Sequence, residues 1–459
     1  MTSTVQKSKV AAWAAWDWGS AAFNAVATTF VFSVYLTSDG LFTDATTANS
    51  HLSWGMALAG VVVAILAPVS GRRADDAGRG VRSVGIFSFL VFLCLLGMFF
   101  ITPDSSLGGT TMLLLGIALL GLGNIFFEFA SVNYNGMLNY VSSPKNRGTI
   151  SGIGWGAGYL GGIVLLLILY YGFINPEVGL FGVTSENGLD VRVSMLIAAL
   201  WFGVFSLPVL LNPPAGYGKN KDGKSAPVLE TYRRVFRSIA GLWRDSRSVV
   251  TFLLASAVFR DGLAGVFTFG GVIAASVFGF SNSEVIRFAI AANVVAGVST
   301  IIVGKLDDVM GPKSIISISL LTMIAAALGV FFFYGNGKII FWSLGLLLCV
   351  FVGPAQSASR SMLARMIPPG REGEIFGLYA TTGRAVSFMA PASYAVAIMV
   401  GEAIYGKGVQ ATVWGILGIA LVLLVGFLLL LPVKTSDMRV DGLDTFDDDT
   451  TVPGGAFPG

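Results

Sequence analysis

The chain has 459 residues, of which 54% are hydrophobic and 12% charged, with a net charge of +3 and a mean hydropathy of +0.76. A soluble domain carries about twice that share of charge, so the composition excludes an ordinary soluble enzyme and places most of the chain in lipid. One histidine, His51, and two cysteines, Cys94 and Cys349, each inside an apolar run, argue against a metal site or a disulfide framework.

The chain opens with a polar segment, residues 1–9, and no removable signal peptide is expected. A first apolar run, 10–36, is long enough to cross about 30 Å of hydrocarbon. It carries Asp17, set in Trp16-Asp17-Trp18-Gly19, and then Asn24. Further spans are expected at 51–70, 84–102, 111–133 with Glu128, 150–171 and 193–211. The fifth is studded with glycine (Gly152, Gly154, Gly156, Gly158, Gly161, Gly162), which in membrane helices lets backbones approach closely. His51, at the outer end of the second span, is expected to be wetted. Trp13, Trp16 and Trp18 are read as interfacial anchors.

Residues 212–248 form the longest polar segment. The Gly/Lys-rich part, 215–227, reads as flexible. After it Val228, Tyr232, Val235, Phe236, Ile239, Leu242 and Trp243 follow helical spacing, with Arg233, Arg234, Arg237 and Arg244 between them. That pattern predicts a basic amphipathic helix lying on membrane lipid. Six more spans follow, at 249–269, 284–303, 314–334, 339–359, 375–400 and 412–432. The acidic tail, 433–459, reads as disordered. With the N-terminus inside, the inner segments hold 23 of the 29 Lys and Arg, the outer loops four and the spans two. Both termini are therefore expected in the cytoplasm of a cell whose cytoplasmic membrane holds the protein.

A repeat organises these elements. Gly71-Arg-Arg-Ala-Asp75-Asp-Ala-Gly78-Arg79 recurs 233 residues later as Gly304-Lys-Leu-Asp-Asp308-Val-Met-Gly311-Pro-Lys313. Both copies read as short charged turns between apolar runs. Repeats on that scale mark two similar halves: residues 1–211 and 249–432, six helices each, joined by 212–248. The fold class expected is an all-α membrane protein of twelve helices in two pseudo-symmetric bundles.

Twelve spans, the 6+6 repeat and the doubled charged turn resemble the major facilitator superfamily. A narrower resemblance rests on residues 16–24, on Ser151-Gly152-Ile153-Gly154-Trp155 with Gly158-Tyr159-Leu160-Gly161-Gly162, and on Phe259-Arg260-Asp261-Gly262. It rests further on Gln356-Ser357-Ala358-Ser359-Arg360-Ser361, Ile367-Pro368-Pro369-Gly370-Arg371-Glu372 and Phe376-Gly377-Leu378-Tyr379. These stretches are similar to the vacuole-effluxer-like family, which includes fungal autophagy-related vacuolar amino-acid exporters and bacterial relatives. The resemblance runs from about residue 10 to 430 and implies a secondary transporter. Two residues depart from the superfamily turn. Asp76 stands where a base is usual, and Gly80 where a second base is common, so the first turn is expected to hold its closed state less firmly.

The turn residues Gly71, Asp75, Gly78, Arg79, Gly304, Asp308, Gly311 and Lys313 are expected to form a conformational latch; the plainer alternative is a cytosolic turn that needs glycine. A carboxylate gains from a helix N-terminus. The starts of the fifth span (Gly148, Gly152) and the eleventh (Gly373, Gly377) share a Gly-x-x-x-Gly pattern. In superfamily members the turn of one half meets the other half there. This puts Asp75 against span eleven and Asp308 against span five.

Ionisable groups within spans face water or a partner and mark function. They are Asp17, Glu128, Arg260, Asp261 and Arg384, with Arg360 near an inner end. Spans one, four, seven and ten line the central cavity in the superfamily. Asp17, Asn24, Glu128, Asn133, Asn135, Arg260, Asp261, Gln356 and Arg360 are therefore the expected substrate and translocation residues. Both charge signs on facing helices suit a zwitterion. The plainer alternative is an ion-pair lattice, for instance Arg260 with Asp17 or Glu128. Asp17 or Glu128 is the expected proton carrier if coupling exists, since Asp261 has Arg260 beside it. Glu374 reads as a cap-region charge. No cofactor, nucleic acid or metal is expected. The partners expected are a small-molecule solute, protons and membrane lipids, with the chain acting as a monomer and not as an enzyme. An amino acid is the favoured cargo; efflux of lipophilic cations, lipid movement and a non-transporting sensor stay open.

Overall fold

A computed structural model describes residues 2–217, 227–245, 247–368 and 370–434. Among these, twelve helices are long and apolar enough to cross a membrane. They are α1 (Lys7–Thr37), α2 (Ala45–Asp76), α3 (Gly80–Met98), α4 (Gly109–Val141), α5 (Arg147–Ile174), α6 (Glu186–Leu211), α7 (Arg247–Ser276), α8 (Glu284–Met310), α9 (Pro312–Asn336), α10 (Lys338–Met366), α11 (Glu372–Tyr405) and α12 (Val409–Leu430). A linker helix, Val228–Asp245, lies between α6 and α7, where the basic amphipathic pattern predicts one. The acidic tail lies almost wholly outside the described residues.

Helices are the form that satisfies every backbone group inside lipid. Their ends follow local chemistry. Asp44 precedes α2 and accepts the Thr47 N–H at 2.9 Å; that bond and the Thr47 side chain hold its carboxyl below the usual range. Ser281 and Glu284 form a reciprocal capping box at the start of α8. The charged repeats are mostly helical rather than turns, which corrects the reading from sequence. Gly71 to Asp76 complete α2 and Gly304 to Met310 complete α8. Only the second glycine of each copy turns the chain, with φ +61° at Gly78 and +82° at Gly311. The first glycine of each copy is a packing residue. A Cβ on Gly71 would collide with the Gly373 carbonyl, and one on Gly304 would lie 2.8 Å from the Gly148 oxygen.

The halves meet through α2 against α11 and α5 against α8, with α4 touching α11 and α5 touching α10. Helix α5 serves two partners with two rows of glycine. Gly148, Gly152 and Gly156 face α8: a Cβ on Gly152 would sit 2.6 Å from the Thr300 oxygen. Gly154, Gly158 and Gly161 face α1: a Cβ on Gly161 would sit 2.5 Å from the Trp18 oxygen. Two helices of opposite halves can thus lie backbone to backbone on either side of α5.

Trp13 and Trp16 are not interfacial anchors. Both are buried, stack on Tyr134 with ring centroids 4.9 and 4.2 Å apart, and donate to the Tyr134 carbonyl and to Ser88 Oγ. A buried indole usually finds an acceptor for its N–H, and for Trp13 and Trp16 the α1–α3–α4 packing supplies both. Of the stretch expected to be flexible, the described residues 215–217 end in a packed side chain. Tyr217 is buried, packs edge-on against Tyr140 and donates to the Asn133 carbonyl at 2.9 Å; residues 218–226 lie outside the described residues.

Candidate functional site

At the face that carries the start of α1 and the end of α12, each half reaches into the other by a carboxylate. Asp75 accepts the backbone N–H groups of Gly373 and Glu374 at 3.0 and 2.9 Å. Asp308 accepts those of Gly148 and Thr149 at 2.7 and 2.8 Å, and the Thr149 hydroxyl at 2.7 Å. These are the first N–H groups of α11 and α5, which have no partner inside their own helix. Each carboxylate therefore caps the opposite half and meets the positive end of its dipole.

Cations brace both contacts. Arg72 Nη1 lies 2.6 Å from Glu374 Oε2 across the halves, and its Nε lies 3.1 Å from Asp76. The acid that departs from the superfamily turn thus steers Arg72. Arg365 donates to Asp308 at 3.1 Å and to the Pro144 carbonyl at 2.9 Å. Glu374 is more than a cap-region charge: it is fully buried and also accepts from Arg371. Lys313 is turned elsewhere, donating to the Leu431 and Val433 carbonyls at the end of α12 in its own half. Arg79 is exposed.

Deeper in the spans, Arg360 of the second half is held entirely by acceptors of the first. It donates to Asp17 Oδ2 at 3.0 Å, Asn135 Oδ1 at 3.2 Å, Ser151 Oγ at 3.1 Å and the Ser151 carbonyl at 2.7 Å. Trp13 and Trp155 place their rings 4.9 and 5.5 Å from the guanidinium carbon. Gly154 makes room for the pair, since a Cβ there would lie 2.6 Å from Asp17 Oδ2. Arg360 and Asp17 side chains are 4% and 14% exposed. A second ion pair joins Glu128 of α4 to Arg384 of α11, with Asn124 Oδ1 3.3 Å from the same guanidinium, and is more open at 25% and 32% exposed.

The ion pairs are not those proposed from sequence. Arg260 meets neither Asp17 nor Glu128; it lies 3.7 Å over the Tyr379 ring and donates to the Tyr379 carbonyl. Asp261 does not pair with Arg260 either. Adjacent residues on a helix point about 100° apart, and Asp261 accepts the Ala390 N–H at 2.6 Å where α11 breaks between Val386 and Met389. Asn133 is fully buried and bonds Ser83 inside the first half, away from the interface. Gln356 accepts from Tyr159 of the other half at 2.9 Å. Asn24 is exposed in a π-helical stretch, Ala22–Phe30, a distortion that often marks functional sites.

A family model described as vacuole effluxer Atg22 like matches residues 139–441. The chain belongs to this vacuole effluxer family. An uncharacterised MFS-type transporter of Bacillus subtilis, YxiO, is 25% identical over 386 residues, covering 84% of this chain and 87% of that protein. Autophagy-related protein 22 of Cryptococcus neoformans is 24% identical over 297 residues, 60% of this chain and 52% of the fungal protein, so the match spans about half the fungal length.

Solved structures share the fold at lower identity. The XylE proton:xylose symporter aligns with TM-score 0.68 and 16% identity over 92% of this chain and 95% of its own. A bacterial homologue of the iron transporter ferroportin in its outward-facing state aligns at 0.66 and 12%, over 93% and 98%. This member of the effluxer family thus has the major facilitator fold, with hydrogen bonds and ion pairs joining the halves at the face of the termini.

Proposed function

We propose that this chain is a secondary transporter that moves a small polar solute, an amino acid or similar zwitterion, through the cytoplasmic membrane by alternating access. Both termini are taken as cytoplasmic, from the Lys and Arg bias, and the closed face is then the inner one. The observation that carries the reading is the Arg360 cluster: a cation of one half bound to four acceptors of the other, within the spans toward their inner ends, with a second inter-half pair at Glu128–Arg384.

Breaking a buried pair by removing one partner costs about 3–5 kcal/mol. A static bundle gains little from such pairs. A protein whose halves must part and rejoin can use them, because a solute carrying both charges offers substitutes for each partner. The cycle then rocks the halves about this site. The Asp75 and Asp308 contacts close the inner face; their rupture opens it. Asp17 and Glu128 are the candidate proton carriers, since protonation removes the charge that holds each arginine.

The test is counterflow in proteoliposomes loaded with pools of amino acids, sugars or lipophilic amines, which needs no ion gradient. Uptake of label with the amino-acid pool supports the reading. Uptake with lipophilic amines alone points to drug efflux, and silence from folded, inserted protein points away from solute transport.

A further inference from the structure

Inward of the Arg72 and Arg365 contacts, the described residues place Arg260, Arg360 and Arg384 within the spans, and Arg260 differs from the other two. Arg360 is bound to Asp17 and Arg384 to Glu128. Among the described residues, no Asp or Glu oxygen lies within 4.0 Å of an Arg260 nitrogen. A guanidinium has five N–H donors; one of them donates to the Tyr379 carbonyl at 3.3 Å.

The Tyr379 ring stacks against the group at 3.7 Å, and its hydroxyl is fixed by Ser359 Oγ at 2.8 Å. Gly383 presents no side chain beside the guanidinium; a Cβ there would be 3.4 Å from Nη2. Phe267, seven residues along α7 and so on the same face, stacks on Tyr159 of the first half at 6.3 Å. The α7 face that bears Arg260 therefore looks across to the first half. A charge inside a span is kept where water or a partner meets it. Here the ring orients the plane of the fork and leaves donors unused.

We infer that Arg260, backed by Tyr379, is the anchor for a carboxylate of the transported solute. The fork matches a carboxylate in bidentate fashion. The inference rests on the solute-transport reading and gives the carboxylate its first contact at Arg260, which among the described residues has no carboxylate within 4.0 Å, whereas Arg360 and Arg384 must first part from Asp17 and Glu128.

Counterflow of a labelled amino acid by the wild-type protein is challenged with the unlabelled acid, its amide and its decarboxylated amine. The amide and the amine are expected to compete about 10- to 100-fold more weakly than the acid, the loss of one or two charge-assisted hydrogen bonds. R260Q raises half-saturation by a similar factor and erases the preference for acid over amide, while R260K restores part of it. Equal competition by acid and amide on the wild type overturns the anchor, as does unchanged half-saturation in R260Q. If R260Q does not fold, the wild-type competition alone decides. No counterflow with any carboxylate-bearing pool overturns the transport reading and the anchor together, whereas counterflow indifferent to Arg260 overturns the anchor alone.

Discussion

Asp17 is the only carboxylate within 4.0 Å of Arg360 among the described residues. D17N keeps an acceptor but removes the charge, leaving a buried guanidinium with neutral partners. It should lower the melting midpoint in detergent and slow counterflow by at least about 10-fold. R360Q alone should do the same. The double variant D17N/R360Q should cost less than the sum of the two, because neither charge is then left buried alone. Strict additivity in melting and counterflow would show that the two side chains do not act as a pair. The same geometry explains Gly154, whose missing Cβ is the space the pair occupies.

At the scale of elements, the latch is a matter of helix ends. The Asp308 carboxylate meets two amides and a hydroxyl at the start of α5. D308N keeps the side-chain shape but turns one acceptor oxygen into an NH2 that faces a backbone N–H, and it loses the charge that the helix end favours, so the closed state should lose at least about 1–2 kcal/mol, roughly a 5- to 30-fold shift in population. Spin labels across the closed face would read it as growth of a long-distance population. Gly152→Leu tests packing instead. A side chain there meets the Thr300 oxygen and Gly304, so the closed population should vanish while the opposite face stays accessible. The linker takes part through Tyr217, whose ring fills the space beside Gly80 and Gly136. Burial, with Asp75 and Glu372 nearby, pushes its hydroxyl well above the ordinary range, so it stays a neutral donor. Y217A should remove about 3 kcal/mol of packing and raise cysteine labelling near Asp75. Unchanged labelling would confine Tyr217 to the first half.

For the whole molecule, the charge bias makes a prediction of sidedness. A cysteine placed in the loop at Ser105 should react with an impermeant maleimide in intact cells, and one at Ser143 only after lysis. The reverse pattern would put the closed face outside. If solute enters only from the face opposite the Asp75 and Asp308 contacts, impermeant competitors should act from the Ser105 side alone; competition from the Ser143 side would show that the contacts do not bar entry.

Composition and the long apolar runs determined the twelve helices by themselves, because lipid leaves backbone groups few other arrangements. The repeat made Asp75 and Asp308 counterparts, and the resemblance to the superfamily, with the shared Gly-x-x-x-Gly pattern, pointed them to the starts of α11 and α5, because a duplicated element carries its partner surface with it. Sequence could not say which interior charges pair. Asp17 with Arg360, Glu128 with Arg384, and Asp261 on the break in α11 depend on rotation and depth of helices hundreds of residues apart, which spacing along one helix does not encode. Nor could it tell the buried Trp13 and Trp16 from interfacial anchors, since an indole suits either place until its acceptor is known. For Arg260 the sequence left a substrate role and an ion pair with Asp17 or Glu128 side by side; the tertiary structure gives those two carboxylates to Arg360 and Arg384 and lays Arg260 on the Tyr379 ring, because the rotation and depth of each helix decide which charges meet.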